Sequence, residues 1–592
     1  MHLMGRFSLL GLFVVLAWGA LVSEGVRAEG RPNVIVIMSD DQGVGDYGFM
    51  GNDVIKTPHI DEMFAASGYL SNFYVSPVCA PTRASLMTGR YNYRTRCIDT
   101  FLGRAMMDSE EVTMAEMLRD AGYRTGIFGK WHLGDNYPLR AMDQGFEESL
   151  VHRGGGIGQP SDPIGAEGKY TDPTLFRNGE EVAMSGYCTD IFFDGAIEFI
   201  ERAVSKDERF FAYIAPNAPH GPFHDVPKQL YDQYRNGDFS PIMVRPLEGK
   251  RLAAESDKLA RIAAMITNID ENVGKLRSKL ETLGVADNTI VIYLNDNGPN
   301  SARFVGEMRG MKTEVDDGGI RSPLLFHWPA RVEGRKTSDA LCAHIDVLPT
   351  ILEACEISPP AEPSLDGRSF LPLLIGTNTQ WPTRHVVIQT HRGDKPEFMH
   401  HFAIHEDPWK LVHPSGFGKE TFEGEPRLEL YHLRNDPRQQ HNLIEQHPEV
   451  VERLRLAYED WIQDVSMTRQ DNFAPPRIVI GTPHEVETVL TRQDWRHSQG
   501  APWGKGSNGY WLLESQEAAE FDVELIFATE DHPKAVATVS AGELTQEVTV
   551  AAGERRGQMA TMMLPAGQFR LAVEVEFSGA VEGPHQVILT RR

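Results

Sequence analysis

Val34-Ile35-Val36-Ile37-Met38, running into Ser39-Asp40-Asp41, is the stretch on which the fold turns. Five apolar residues without alternation predict a strand buried on both faces, as in a parallel sheet covered by helices. The pattern returns in Phe210-Phe211-Ala212-Tyr213-Ile214, in Thr289-Ile290-Val291-Ile292-Tyr293-Leu294 and in Leu324-Leu325-Phe326. Between these runs Leu259, Ile262, Ile266, Ile269, Val273, Leu276 and Leu280 recur at helical spacing, which predicts core packing. Strand and helix patterns alternate over the first ~380 residues, so the expected fold class is α/β, with a mostly parallel central sheet flanked by helices. From 385 the pattern changes to short strands at His385–Gln389, Phe402–Ile404, Trp409–Val412 and Leu428–Leu433, followed by a helix from Pro448 to Val465. That predicts a smaller antiparallel α+β subdomain. Asp471-Asn472-Phe473-Ala474-Pro475-Pro476 reads as a linker. Beyond it Phe521, Val523, Leu525 and Phe527 alternate, as do Phe569, Leu571, Val573, Val575 and Phe577, which predicts an additional all-β, sandwich-like domain.

A chain of 592 residues is too long for one core, so several domains are expected. The expected division is 1–28, 29–384, 385–470 and 471–592. The first segment has Arg6, an apolar run from Phe7 to Val22, and the small-x-small site Val26-Arg27-Ala28. It reads as a secretory signal, giving a secreted or periplasmic product that begins near Glu29. The alternative is an uncleaved anchor, but the run is short for a span and a cleavage site follows at once. No later stretch is apolar enough to span a membrane, so none is expected in the mature chain. Formal net charge is -25. Loss of Arg6, Glu24 and Arg27 with the signal makes the product one charge more negative. So acidic a protein is not expected to bind nucleic acid. The five cysteines, at 79, 97, 188, 342 and 355, are odd in number and widely spaced, which excludes a disulfide scaffold. Cys188, Cys342 and Cys355 lie in apolar helical patterns and read as small buried hydrophobes.

In parallel sheets, ligands sit beyond the carboxyl ends of strands. After the first strand come Asp40 and Asp41. After the strand at 289 come Asp296 and Asn297, and after Ile214 comes a loop carrying His220. One acidic pair alone would be turn chemistry. Two at one sheet edge suggest a site for a hard cation, Ca²⁺ ahead of Mg²⁺, because the donors are oxygens without soft ligands.

Cys79-Ala80-Pro81-Thr82-Arg83 opens a segment that ends Leu86-Met87-Thr88-Gly89-Arg90. Alone, Cys79 would pass for an ordinary buried or disulfide-bonded cysteine. The whole segment resembles the signature of type I, formylglycine-dependent sulfatases of the alkaline phosphatase superfamily, with Thr82 where Ser is usual. Further segments resemble the family in order: Asp40-Asp41-Gln42-Gly43, Gly129-Lys130-Trp131-His132-Leu133-Gly134, Asn217-Ala218-Pro219-His220, Asp296-Asn297-Gly298, and Lys312 ahead of Gly318-Gly319-Ile320-Arg321. The resemblance runs from about 33 to 470 and stops before the last domain.

The resemblance implies a sulfuric ester hydrolase, arylsulfatase-like, acting on a sulfated carbohydrate or aryl sulfate. It implies that a formylglycine-generating or sulfatase-maturating enzyme oxidises Cys79 to 3-oxoalanine, whose hydrate attacks sulfur. It implies Asp40, Asp41, Asp296 and Asn297 as calcium ligands together with residue 79. Arg83, Lys130, His132, His220 and Lys312 then complete the catalytic set, gathering positive charge around an anionic ester and handling protons.

The Gly-rich loop His152-Arg153-Gly154-Gly155-Gly156-Ile157-Gly158-Gln159-Pro160 lies where related enzymes contact substrate, so His152 and Arg153 are candidate substrate-binding residues; the alternative is a surface loop. His391 and Arg392 are candidates for the same rim. In the last domain Trp495, Trp503, Tyr510 and Trp511 read as packing residues ahead of a sugar platform. Two other functions stand beside the main one: a phosphonate or phosphate ester hydrolase of the same superfamily, and a non-catalytic glycan-binding protein on this scaffold.

Overall fold

The Asn33–Ser39 strand is buried at every position after Asn33 and sits in the middle of a large mixed sheet. The structure, a computed structural model, describes residues 30–592 apart from 166–167, 378–379, 468–472, 500, 558–559 and 578–579. The expected targeting segment 1–28 lies outside the described residues. Among them, no helix is long and apolar enough to cross a membrane.

Five neighbouring strands are parallel: Thr289–Asn295, Asn33–Ser39, Phe210–Ala215, Arg124–Lys130 and Glu148–His152, in that spatial order. Ser39 pairs with Asn295, Ile37 with Ile214, and Lys130 with His152. Their carboxyl ends therefore form one row. The Gly249–Thr282 helix buries all seven predicted stripe residues. The run at Leu324–Phe326 is a strand, Arg321–His327, but it is antiparallel to both neighbours. Only the short helix Asp317–Ile320 precedes it, too little chain structure for a crossover.

Val386–Gln389, Phe402–Glu406, Trp409–His413 and Glu429–His432 form an antiparallel sheet, packed by the Pro448–Ser466 helix through Leu454 and Tyr458. The expected linker is not free where it is described. Phe473 is buried, its carbonyl accepts a hydrogen bond from Arg104 at 2.8 Å, and the Ala474 carbonyl accepts one from Arg96 at 2.8 Å. From Ile478 onward, a seven-stranded and a four-stranded sheet enclose one apolar core. Phe521, Val523 and Leu525 face Leu571, Val573 and Val575 within it. Trp495 and Trp511 are wholly buried there, and the Trp511 indole donates to the Thr491 carbonyl. Trp503 and Tyr510 remain half-buried.

All five cysteines are buried and none is in a disulfide. Cys188 opens a helix and Cys355 caps one, but Cys342 lies in the two-residue strand Cys342–Ala343. A run of apolar residues this short does not distinguish the two conformations.

Candidate active site

The row of parallel strand ends brings the chemistry together. Asp296 and Asn297 follow one strand, Asp40 and Asp41 the next and His220 the third, while Lys130 ends the fourth and His132 follows it. Cys79 heads the Cys79–Thr88 helix, all ten residues of which are buried. A carboxylate oxygen of Asp40, one of Asp296 and the Cys79 sulfur lie within 4.8 Å of one another. Thr82, the residue that departs from the usual Ser, accepts the Ser76 N–H at 2.9 Å and so ties the helix to the preceding turn.

Three cations face three carboxylates. Arg83 donates to Asp296 at 2.8 Å and to the Lys130 carbonyl at 3.1 Å, with nothing of it exposed. Lys130 meets Asp40 at 2.6 Å and Lys312 meets Asp41 at 2.6 Å. Burial alone would raise the Asp41 pKa, but Lys312 and His220 hold it well below the usual carboxylate range. Burial would lower the Lys312 pKa, and Asp41 outweighs it, so the ammonium is held charged. Asp296 is pushed up to about 6 by burial and by the neighbouring Asp40 carboxylate.

Asp40 Oδ1, Asp41 Oδ2 and Asn297 Oδ1 are buried without a hydrogen-bond partner. Buried acceptors left unpaired are costly, about 1–3 kcal/mol each. Three of them on residues around one point, all hard oxygens, fit a Ca²⁺-like cation. Asp40, Asp41, Asp296 and Asn297 could hold it beside residue 79.

The histidines are fixed from behind. His132 Nε2 meets the Thr100 carbonyl at 2.7 Å, which leaves Nδ1 buried and unpartnered. Burial and Lys130 keep its pKa well below the ordinary value, so the ring is a neutral base. His220 Nδ1 meets the Gly221 carbonyl at 2.7 Å and turns Nε2 toward Asp41 at 3.6 Å. Asp41 and His132 both have positive φ, 61° and 59°, a conformation L-residues hold only where their surroundings demand it. Gly129 has φ 127°, and a Cβ there would collide with the Ala215 carbonyl on the adjacent strand. Gly129→Ala is therefore expected to cost about 3 kcal/mol or more in denaturant unfolding, because strand separation and strain combine.

The four candidate substrate-binding residues are not all at this centre. His152 is buried against Asp162 at 2.6 Å and Asn217 at 3.3 Å. Arg153 turns away, its guanidinium 3.7 Å over the Phe176 ring and its charge opposite Asp135. His391 is buried, its ring engaged by the Arg392 carbonyl and the Glu397 N–H. Arg392 is partly exposed, lying over Phe101 at 4.3 Å and beside Asp99 at 3.8 Å.

The residues that sequence reasoning passed over are Thr100 and Gln493. Gln493, from the all-β region, donates to the same Thr100 carbonyl at 3.0 Å. Nothing in the chain around 493 signals a link to a histidine so far away in sequence.

The Sulfatase family model matches residues 32–357, and the model described as N-sulphoglucosamine sulphohydrolase, C-terminal, matches 311–463. The chain is similar to an N-acetylgalactosamine-6-sulfatase of Canis lupus familiaris, 27% identical over 72% of this chain and 84% of that protein. It is similar to an N-acetylgalactosamine-6-O-sulfatase of Bacteroides thetaiotaomicron, 28% identical over 72% of this chain and 92% of that protein. Among solved structures it resembles Ps i-CgsB in complex with k-i-k-neocarrahexaose, with TM-score 0.63, 26% identity, and coverage of 75% of this chain and 95% of that one.

Proposed function

Since the chain belongs to the type I sulfatase family and is a sulfuric ester hydrolase, we propose that it removes sulfate from sulfated carbohydrates through a Cys79-derived formylglycine and a bound Ca²⁺. The observation that carries this reading is the Cys79 sulfur set among Asp40 and Asp296 oxygens, under Lys130, Lys312 and Arg83. Sulfated sugars are favoured because relatives are named as N-acetylgalactosamine-6-sulfatases and one similar structure is a complex with k-i-k-neocarrahexaose.

When present, the hydrated aldehyde at residue 79 supplies the nucleophile, and Ca²⁺, held by Asp40, Asp41, Asp296 and Asn297, supplies fixed charge at the sulfate. The chain's own residues do the rest. Arg83 is wholly buried and donates to Asp296 and the Lys130 carbonyl, so it orients carboxylates and does not reach for substrate. Lys130 and Lys312 place positive charge beside the ester. Lys312, kept protonated by Asp41, stands where the departing alkoxide needs charge or a proton, and His220, whose pKa burial lowers to about 4, stands beside it as a neutral ring. His132, fixed by Thr100, offers Nδ1 to the nucleophile's proton. His152 and Arg153 shape the Gly-rich loop from behind in this scheme, and Arg392 remains a rim contact.

Residues 1–28 are then a signal segment, the product is exported to the periplasm or medium, and 471–592 form an accessory domain. It also requires a maturation enzyme as partner. Paired assays with nitrophenyl sulfate and a phenyl phosphonate test the reaction class. Sulfate turnover is expected to exceed phosphonate turnover by about 100-fold or more, since each 1.36 kcal/mol of discrimination is tenfold. A preference for the phosphonate would sink the reading, and binding of sulfated sugars without turnover by matured protein would favour a glycan-binding role.

A further inference from the structure

Between residues 158–160 of the Gly-rich loop and the all-β region lies a cleft of about 900 Å³. That is within the size of ligand pockets, roughly 300–1,000 Å³. Trp503 and Phe577 supply partly exposed aromatic surface, and Lys505 and Asp531 supply exposed charged groups. None of the residues gathered at the parallel strand ends lines it.

Two chains of contact join this cleft to the catalytic centre. Gln159 lines the cleft, and its Oε1 accepts the Gly155 N–H at 2.9 Å. A Cβ on Gly155 would lie 2.7 Å from that oxygen and 2.9 Å from the His132 ring. A Cβ on Gly156 would lie 2.7 Å from the His220 ring and 3.4 Å from Gln159 Nε2. The Gln159 amide thus stands between the cleft and both histidines, and the glycines are what let the loop come so close. On the opposite wall Trp503 meets Phe101 edge-on at 5.3 Å. Phe101 follows Thr100, whose carbonyl holds His132, and it carries Arg392 on its face.

The chemistry of the cleft is that of sugar recognition. Ring faces stack on the apolar sides of pyranoses, and polar groups at the edges take hydroxyls. Of its acids, Asp531 is exposed, while Glu582 is already matched by Arg492 at 3.2 Å. A single sulfated sugar at residue 79 would leave this space unused. We infer that the cleft is a binding subsite for the sugar residues that adjoin the one losing its sulfate. The inference rests on the sulfate ester reading of the catalytic centre.

Two substitutions test it in the full-length chain. Trp503→Ala removes a stacking face. Ala528→Trp, at an exposed lining position, plugs the cleft without disturbing the core. Binding is measured by calorimetry in a Cys79→Ala background, with a sulfated neocarrahexaose and a hexasaccharide bearing N-acetylgalactosamine 6-sulfate as probes. Each substitution is expected to weaken binding of at least one hexasaccharide about tenfold. In the Cys79 protein, Ala528→Trp is expected to leave nitrophenyl sulfate turnover unchanged. Unchanged hexasaccharide affinity in both variants, or no binding of either probe by the parent, overturns the subsite. If binding is plug-sensitive but the Cys79 protein turns over no sulfate ester, the subsite stands and the reaction reading fails.

Discussion

Cys79→Ala abolishes sulfate ester hydrolysis, with kcat expected to fall by about 10⁴-fold or more, as when the nucleophile of a preorganised site is removed. The unmodified thiol cannot substitute for its oxidised form. Burial pushes the Cys79 pKa up, even against the nearby Lys130 and Lys312, so little thiolate exists at neutral pH. A thiol also has no second hydroxyl with which to expel sulfate. Cys79→Ser is expected to be as inactive wherever the host matures only cysteine. The fold should survive. Cys79 opens its helix, and alanine removes one small buried atom, a loss on the order of 1 kcal/mol that thermal unfolding would register as about 1 °C in a domain of this size. Mass spectrometry of the peptide spanning residue 79 is the decisive companion. Active protein must carry the aldehyde there, and fully active protein with only thiol ends this mechanism.

The sheet was legible because buried parallel strands write themselves as unbroken apolar runs. Val34–Met38, Phe210–Ile214 and Thr289–Leu294 each announce a strand and, at its end, the residues of the site. The direction of Leu324–Phe326 was not legible, since strand polarity depends on what the connection can span and not on the run itself. Asp40, Asp41, Asp296 and Asn297 could be read because each follows a strand within two positions, whereas Lys130 ends a strand and Lys312 lies well beyond one, so both were legible only through the segments around them. The substrate-side residues could not be read. Arg153 and His152 carry the charge expected of a sugar contact, but Phe176, Asp135 and Asp162 compete for them from distant parts of the chain. Gln493 failed in the opposite sense. It has no local signal, and its role exists only because the all-β region packs beside Thr100.

Removing divalent cations with a chelator is expected to lower activity at least about 100-fold while leaving the protein folded. The two halves of this outcome come from one geometry. Arg83, Lys130 and Lys312 each pair with one of Asp296, Asp40 and Asp41, so charge around the site balances even without an ion. The carboxylates need no metal to avoid mutual repulsion. What the balanced site lacks is surplus positive charge for an incoming sulfate, and a cation on the free oxygens of Asp40, Asp41 and Asn297 would restore it. Because the ion binds only the folded site, saturating Ca²⁺ at about 100 times its Kd should add about 2.7 kcal/mol of stability, seen as a rise in Tm. Ca²⁺ should also restore more activity than Mg²⁺. The donors come from two different strand ends and are held by Arg83, Lys130, Lys312 and the Asn297 amide, so they cannot close to the short, regular octahedron that Mg²⁺ demands, whereas Ca²⁺ accepts irregular sets of six to eight oxygens. Full activity after exhaustive chelation, or equal rescue by both ions, would remove the cation from the reading and leave Lys130 and Lys312 to carry the sulfate charge alone.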